Sequence, residues 1–270
     1  WAHDVCGMYL EQSGNPALTG RRLQDHMLGR TFGGTALSNP MKALAGIEPM
    51  QLKAEPVRGG YRVSGALPWV SHIGQGQYCG AMATVCKPGG SRSHEIMFLL
   101  DMDEQVGLRP CPVFSGMEGT STWAVRLNNY FVGQDLLIAD PVQPLLQRIR
   151  AAFVLLQVGI AAGVAQGAID SILEVEPMLG HVNQFLADRP DVLQAEYEDL
   201  WQRAARLAQT PYEESRDFLL EVLDLRAQGG EFALRAANSA LLHQGARAPL
   251  LQSPVQRRVR EAQFVALVTP

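Results

Sequence analysis

The spacing of apolar positions changes twice along the chain. From Trp1 to about Arg30 apolar residues recur at helical intervals around a Gly14-Asn15-Pro16 turn, which predicts one or two short helices. From Phe32 to about Asp140 the period shortens. Runs such as GGYRVSG, GQYCGAMATVC, HEIMFLLDM and TWAVRLNNYFV alternate or cluster β-forming residues between Gly, Pro and Asn turns, which predicts a β domain. After Asp140-Pro141 the alternation stops. Leu145 to Glu176, Val192 to Gln209, Tyr212 to Gln244 and Pro254 to Val268 carry helical periods interrupted by Pro and Gly, which predicts a helical bundle. The expected organisation is an α+β chain with segregated parts: a helical segment over 1–31, a β domain over 32–140 and a bundle over 141–270.

Composition narrows the function classes. With 47% apolar and 19% charged residues the chain reads as an ordinary folded protein, and a net charge of −4 has the wrong sign for a general nucleic-acid binder. Cys6, Cys79, Cys86 and Cys111 form no CxxC or CxH cluster, so no zinc or iron–sulfur site is expected. Isolated reduced thiols fit a cytoplasmic protein. The opening WAHDVCGMYLE has no initiator Met, no basic segment and no cleavage signal, so the expectation is a piece of a longer chain without a secretory peptide. Ala151 to Ile169 carries no charge and approaches the length of a membrane span, but its alanines and glycines, with Gln157 and Gln166, point to a buried helix and no span. The Ala- and Leu-rich faces of the long helices suit a homo-oligomer. No Rossmann GxGxxG or P-loop occurs.

Five segments, in order, carry a resemblance that covers nearly the whole chain. They are Ala36-Leu37-Ser38-Asn39-Pro40, the run GGYRVSGALPWVSHIGQGQYCGAMATV from Gly59, MEGTSTWAVRLNNYFVGQDLLI from Met117, AAGVAQGAIDSI from Ala161, and Gln244-Gly245 followed by PVQRRVREAQF. Together they resemble the acyl-CoA dehydrogenase superfamily, with Trp69-Val70-Ser71-His72 as the telling block. The resemblance implies a middle β-barrel, a C-terminal four-helix bundle, and an N-terminal helical domain most of which lies before Trp1. It also implies a flavin cofactor, FAD with FMN as the alternative, and a dimer or tetramer acting on a small molecule such as an acyl-CoA.

An isoalloxazine ring needs an apolar wall, a hydrogen-bond donor near N5 and donors near its pyrimidine edge. By resemblance Trp69 packs beside the ring, the Ser71 hydroxyl approaches N5, Leu37 and Ser38 address the pyrimidine edge from a strand, and Gln244 and Gly245 complete the cofactor contacts. Taken on their own, Trp69 reads as barrel core and Ser71 as a turn hydroxyl. Met41-Lys42-Ala43-Leu44-Ala45 stands where the family has a glycine-rich phosphate contact, leaving Lys42 as a point contact or a solvated lysine. The family's arginine on the central helix is missing from Met178-Leu179-Gly180-His181-Val182. Arg148 and Arg150 head the long helix, where a cation opposes the helix dipole unless an anion such as a CoA phosphate, or an acidic loop residue such as Asp135 or Asp140, lies nearby.

A dehydrogenase of this family removes an α-proton with a carboxylate. Neither place that supplies it matches here: Pro141 to Ile169 contains no Asp or Glu, and after Glu261 the matching position falls near Thr269. Relatives that oxygenate substrates with reduced flavin work with hydroxyls and histidines instead. Ser71, His72 and His243 are therefore the catalytic candidates, the two histidines reading equally as a turn cap and a bundle histidine. A catalytically silent homologue with a binding or assembly role is the third expectation.

Overall fold

A computed structural model describes the chain except Pro88, Pro112, Thr269 and Pro270, so the position near Thr269 lies outside the described residues. The chain forms two compact units, the first of residues 1–113 and 118–149 and the second of residues 114–117 and 150 onward.

In the first unit eight strands form one sheet: β1 (Gly33–Thr35), β2 (Lys53–Val57), β3 (Gly60–Val70), β4 (Tyr78–Cys86), β5 (Arg92–Asp101), β6 (Gly107–Pro110), β7 (Trp123–Gly133) and β8 (Leu137–Ala139). Their order is β6-β7-β3-β2-β4-β5-β8, with β1 running parallel to β4. The expected barrel does not close. Its two edges are a four-residue strand ending in Pro110 and a three-residue strand, too short to pair across a gap. β2 and β3 join through Arg58-Gly59, where Gly59 takes φ 86°.

Every residue of β4 from Tyr78 to Val85 is buried, because the sheet is covered on both faces there. One face packs into the apolar core with Cys79, Ala81, Ala83 and Val85. Over the other lies α1 (Ala2–Gln12), whose Tyr9 ring occupies the space a side chain at Gly80 would need. Ser13 Oγ donates to the Ile138 carbonyl and Asn15 Nδ2 to those of Gln134 and Leu137, which ties the N-terminal segment to β8. A kinked turn at Leu18–Arg22 and α2 (Leu23–Met27) follow. One helix inside the β region was not foreseen: α3 (Ser38–Leu44) starts at the Ser38 that the resemblance put on a strand. Pro40 in its first turn lacks an N–H that would have no partner there.

The remaining helices are α4 (Gln143–Asn183), α5 (Pro190–Leu207), α6 (Arg216–Gln244) and α7 (Pro254–Leu267). Pro190 and Pro254 open their helices, Ser215 Oγ caps α6 by accepting from the Phe218 N–H, and Gly245 at φ 58° ends it. α4 was expected to stop at Glu176 yet passes Pro177. Its extension is held by the Glu176–Arg189 ion pair and by Asn183 Nδ2 donating to the His243 carbonyl at 2.9 Å. α4 is long and apolar enough to cross a membrane by length and composition. In this structure Ala151, Val158, Ala161, Ala165, Ala168 and Ile169 enter a core shared with α5, α6 and α7.

Candidate functional site

The Ser71 turn is built by two crossing segments of the first unit. β3 slips register against β7 between Leu67 and Val70, and Trp69 is left 56% exposed. Ser71 then forms a bridge with Thr35 of β1, while the His72 N–H donates to the Thr120 carbonyl at 2.8 Å and the Ile73 N–H to that of Ser121 at 3.3 Å. Ser121 Oγ returns a bond to the Ile73 carbonyl at 2.8 Å. His72 and Ser121 both lie in the left-handed region, at φ 60° and 46°. Strain of this kind persists only where the surroundings over-determine the backbone, and it concentrates at functional turns.

Three hydroxyls line up along the crossing. Ser71 Oγ and Thr122 Oγ1 are 2.8 Å apart, and Thr122 Oγ1 and Thr120 Oγ1 are 2.7 Å apart. Such a chain orients each hydroxyl through the next, so Ser71 can accept from Thr122 and donate outward. Thr120 and Thr122 were not assigned from the sequence, although the GTSTW run held the signal.

Behind the turn sit three imidazoles, of which only His72 was singled out beforehand. His3 and His26 stack with centroids 3.7 Å apart, and His72 meets the His3 ring edge-on at 6.0 Å. His26 Nε2 donates to the His3 carbonyl at 2.9 Å, so its Nδ1 accepts from Tyr78 Oη at 2.8 Å, and Tyr78 accepts in turn from Thr31 Oγ1. His3 Nε2 donates to the His26 carbonyl at 3.2 Å, and its Nδ1, like His72 Nε2, is buried without a partner. Burial, followed for His72 by the nearby His3, lowers the proton affinity of His26 and His72 below the ordinary 6.5. The unfolded chain therefore binds more protons than the folded one below about pH 6.5. The contribution is complete above that value and is lost as pH falls through the lowered folded values. Thermal unfolding from about pH 7 to 5 should show a falling midpoint, with a shallower fall in His26→Phe; equal slopes would show that other groups carry the effect.

The chain has the acyl-CoA dehydrogenase-like fold. No family model and no curated protein matches the sequence, but solved structures match the fold. Butyryl-CoA dehydrogenase from Megasphaera elsdenii superposes with TM-score 0.80 at 16% identity, over 97% of this chain and 70% of that one. The flavoprotein nitroalkane oxidase gives 0.80 at 16%, over 99% and 71%. Dibenzothiophene monooxygenase from Paenibacillus sp. A11-2 gives 0.78 at 15%, over 99% and 74%. An acyl-CoA dehydrogenase-like fold thus hosts a dehydrogenase, an oxidase and a monooxygenase, and the chemistry must be argued from side chains.

The other expected site residues of this fold are placed as follows. Leu37 is buried and Ser38 exposed at the start of α3 rather than on a strand, and Lys42 is exposed in the last turn of that helix. Arg148 is exposed, while Arg150 donates to the Glu214 carbonyl at 3.1 Å. Asp140, expected as a partner for these arginines, instead accepts from Tyr61 Oη at 2.5 Å and contacts His94 at 2.8 Å. Gln244 Nε2 donates to the Ser171 carbonyl at 2.9 Å. His243 is fully buried in the helical unit with Nε2 donating to the Asp188 carbonyl at 2.7 Å. Arg257 and Arg258 both pair with Glu261. No group of metal-ligating side chains occurs among the described residues.

Proposed function

We propose that this chain is a flavin-dependent oxidoreductase acting on a small organic substrate, with the Ser71 turn facing the flavin. The observation that carries the reading is the Ser71–Thr122–Thr120 hydroxyl chain beside the exposed indole of Trp69. An apolar wall next to one oriented hydroxyl suits a flat heteroaromatic ring with a hydrogen-bonding edge. Flavin, when bound, supplies the redox chemistry. Trp69 and Leu37 would hold the ring, Ser38 its polar groups, and Arg148 an anionic tail of the substrate such as that of an acyl-CoA. Ser71 orients a hydrogen bond at the ring edge, and neutral His72 holds or moves a proton. FAD is the first choice and FMN the second. The C-terminal helices would form a four-helix bundle and assemble a homo-oligomer over exposed α4 and α6 residues such as Met178, Val182 and Leu242. The fold neighbours, among them a flavoprotein oxidase and a monooxygenase, support a flavin-dependent reaction and leave the substrate open.

A second reading, a reduced-flavin monooxygenase, is favoured by one observation: residues 141–169 contain no Asp or Glu to abstract an α-proton. Titration with oxidised and photoreduced FAD and FMN separates the readings. Tight oxidised FAD bleached by an acyl-CoA supports a dehydrogenase, and preferential binding of reduced flavin with rapid oxygen consumption supports a monooxygenase. Binding in neither redox state leaves a catalytically silent homologue. Ser71→Ala should weaken flavin binding about tenfold, the loss of one hydrogen bond near 1.4 kcal/mol; unchanged affinity would remove Ser71 from the site.

A further inference from the structure

The solvent face of the sheet beside the Ser71 turn carries two arginines, Arg109 and Arg126. On β7, Val125 and Leu127 are buried, so Ala124 and Arg126 point outward. Arg126 stands opposite Ala66 of β3 and Gly107 of β6, and Ala124 stands opposite Arg109 of β6. On β3, Pro68 and Trp69 together oppose Ala124 at the register slip, which leaves the exposed indole on this same face. One surface therefore holds Trp69, Arg109 and Arg126 around a floor of Gly107, Ala66 and Ala124, whose side chains are too small to fill it.

Both guanidiniums are exposed, and among the described residues neither makes an ion pair or a side-chain hydrogen bond. They sit diagonally on adjacent strands, where like charges repel. Arg62, on the same face, shows the contrast. Its Nη1 donates to the Asn129 carbonyl at 2.9 Å, its guanidinium lies 5.2 Å from the Phe131 ring centroid, and it faces Glu55 across the β2–β3 pair. Glu55 is the only carboxylate that β2, β3, β6 and β7 contain. With Arg62 opposite it and Lys53 beside it on β2, it balances neither Arg109 nor Arg126.

A phosphate is the anion that suits the place. A guanidinium meets phosphate through two parallel N–H bonds, and a phosphate shared by both arginines would cancel their repulsion. The segment from Met41 to Ala45, where the resemblance had put a phosphate contact, is helix with its C-cap and offers only the exposed Lys42. Thr122 carries the hydroxyl that orients Ser71, and β7 runs on from it toward the arginines. Ala124, with Arg109 opposite, lies two residues beyond Thr122 and Arg126 four, about 7 and 14 Å along the strand. That separation is on the scale of a ribityl chain ending in phosphate. We propose that Arg109 and Arg126 hold the phosphate of the flavin whose ring faces the Ser71–Trp69 corner. The inference rests on that flavin reading and deepens it by naming the residues that meet the charged end of the cofactor.

Equilibrium titration of the whole chain with riboflavin, FMN and FAD, oxidised and photoreduced, tests the assignment, since riboflavin lacks the phosphate that the other two share. The tighter of FMN and FAD should bind at least about tenfold better than riboflavin in low salt, the effect of one bond between a charged donor and a charged acceptor. The gap should narrow as added salt screens these exposed charges. Arg109→Gln combined with Arg126→Gln should remove the gap and leave the affinity for riboflavin as it was; either single variant, with a smaller loss, serves if the pair does not fold. Arg62→Gln takes the same charge from the same face and should leave the gap intact. No preference for phosphorylated flavin in the wild type, a gap that survives the double substitution, or an equal loss in Arg62→Gln would each overturn the proposal and leave the flavin reading standing. Binding of no flavin at all would sink the flavin reading, and this inference with it.

Discussion

Replacing Arg226 with methionine lowers the stability of the helical unit by about 3 kcal/mol. Arg226 sits on α6 and is 7% exposed. Its Nε donates to Gln157 Oε1 at 3.2 Å, and one terminal nitrogen donates to the carbonyls of Val265 and Val268 at 2.5 and 2.9 Å. Those carbonyls belong to the end of α7, where a helix leaves acceptors without intrahelical partners and where its dipole favours a cation. Among the described residues Arg226 makes no ion pair, and burial lowers its proton affinity. Methionine fills much of the same volume but strands two carbonyls and an amide oxygen. Each lost bond to a charged donor is worth about 1.5–3 kcal/mol, offset in part because a buried cation no longer needs desolvating. Urea unfolding followed by far-UV circular dichroism measures the difference. A loss below about 1 kcal/mol would mean that water reaches the end of α7 and replaces the guanidinium. Arg226→Lys should recover only part of the loss, since one ammonium cannot reproduce the planar fork that meets Gln157 and α7 together.

Arg226 marks the boundary of what the sequence made legible. Element types followed from spacing: the strands between Phe32 and Asp140 and the helices after it lie close to where the apolar period changes. Period reports which face is buried and not what a lone polar residue on that face bonds, so Arg226 in DLRAQGG looked like any helical arginine. Pro177 misled for a related reason, because a proline predicts a lost hydrogen bond while long-range anchors at Asn183 and Arg189 decide whether the helix continues. The barrel failed to close because closure depends on strand length at two edges far apart in sequence. At the site, Trp69, Ser71 and His72 were legible as a block. Their partners Thr120, Thr122, His3 and His26 meet them only through folding, Thr122 from 51 residues beyond Ser71 and His3 from 69 before His72, and no local pattern announces such a meeting. The burial of His243, whose Nε2 bonds a carbonyl 55 residues away, was likewise not legible beside its glycine turn.

Gly34→Ala tests how tightly the fold fixes the proposed site, and should destabilise the first unit strongly. A Cβ at Gly34 would lie 2.4 Å from the Ser71 carbonyl oxygen, 3.0 Å from that of His72 and 3.2 Å from Ile73 Cγ2. The first two are backbone atoms, so no side-chain rotation relieves them. Gly34 itself cannot retreat, since β1 is paired with β4 through Gly33–Tyr78, Gly34–Cys79 and Thr35–Gly80. The Ser71 turn must move instead, against the Thr35 bridge and the bonds to Thr120 and Ser121. Overpacking of this kind costs about 1–3 kcal/mol, and the rigidity on both sides puts this site at the upper end. The same displacement breaks the 2.8 Å contact between Ser71 and Thr122 that orients the hydroxyl. Flavin affinity should therefore fall more in Gly34→Ala than in Ser71→Ala, because the alanine at 71 removes one donor whereas the methyl at 34 displaces the whole turn. Titration of both variants with the same flavin, alongside their unfolding midpoints, separates the outcomes. A folded Gly34→Ala protein that binds flavin as the wild type does would place the cofactor away from Ser71, and would do so even if Ser71→Ala had weakened binding.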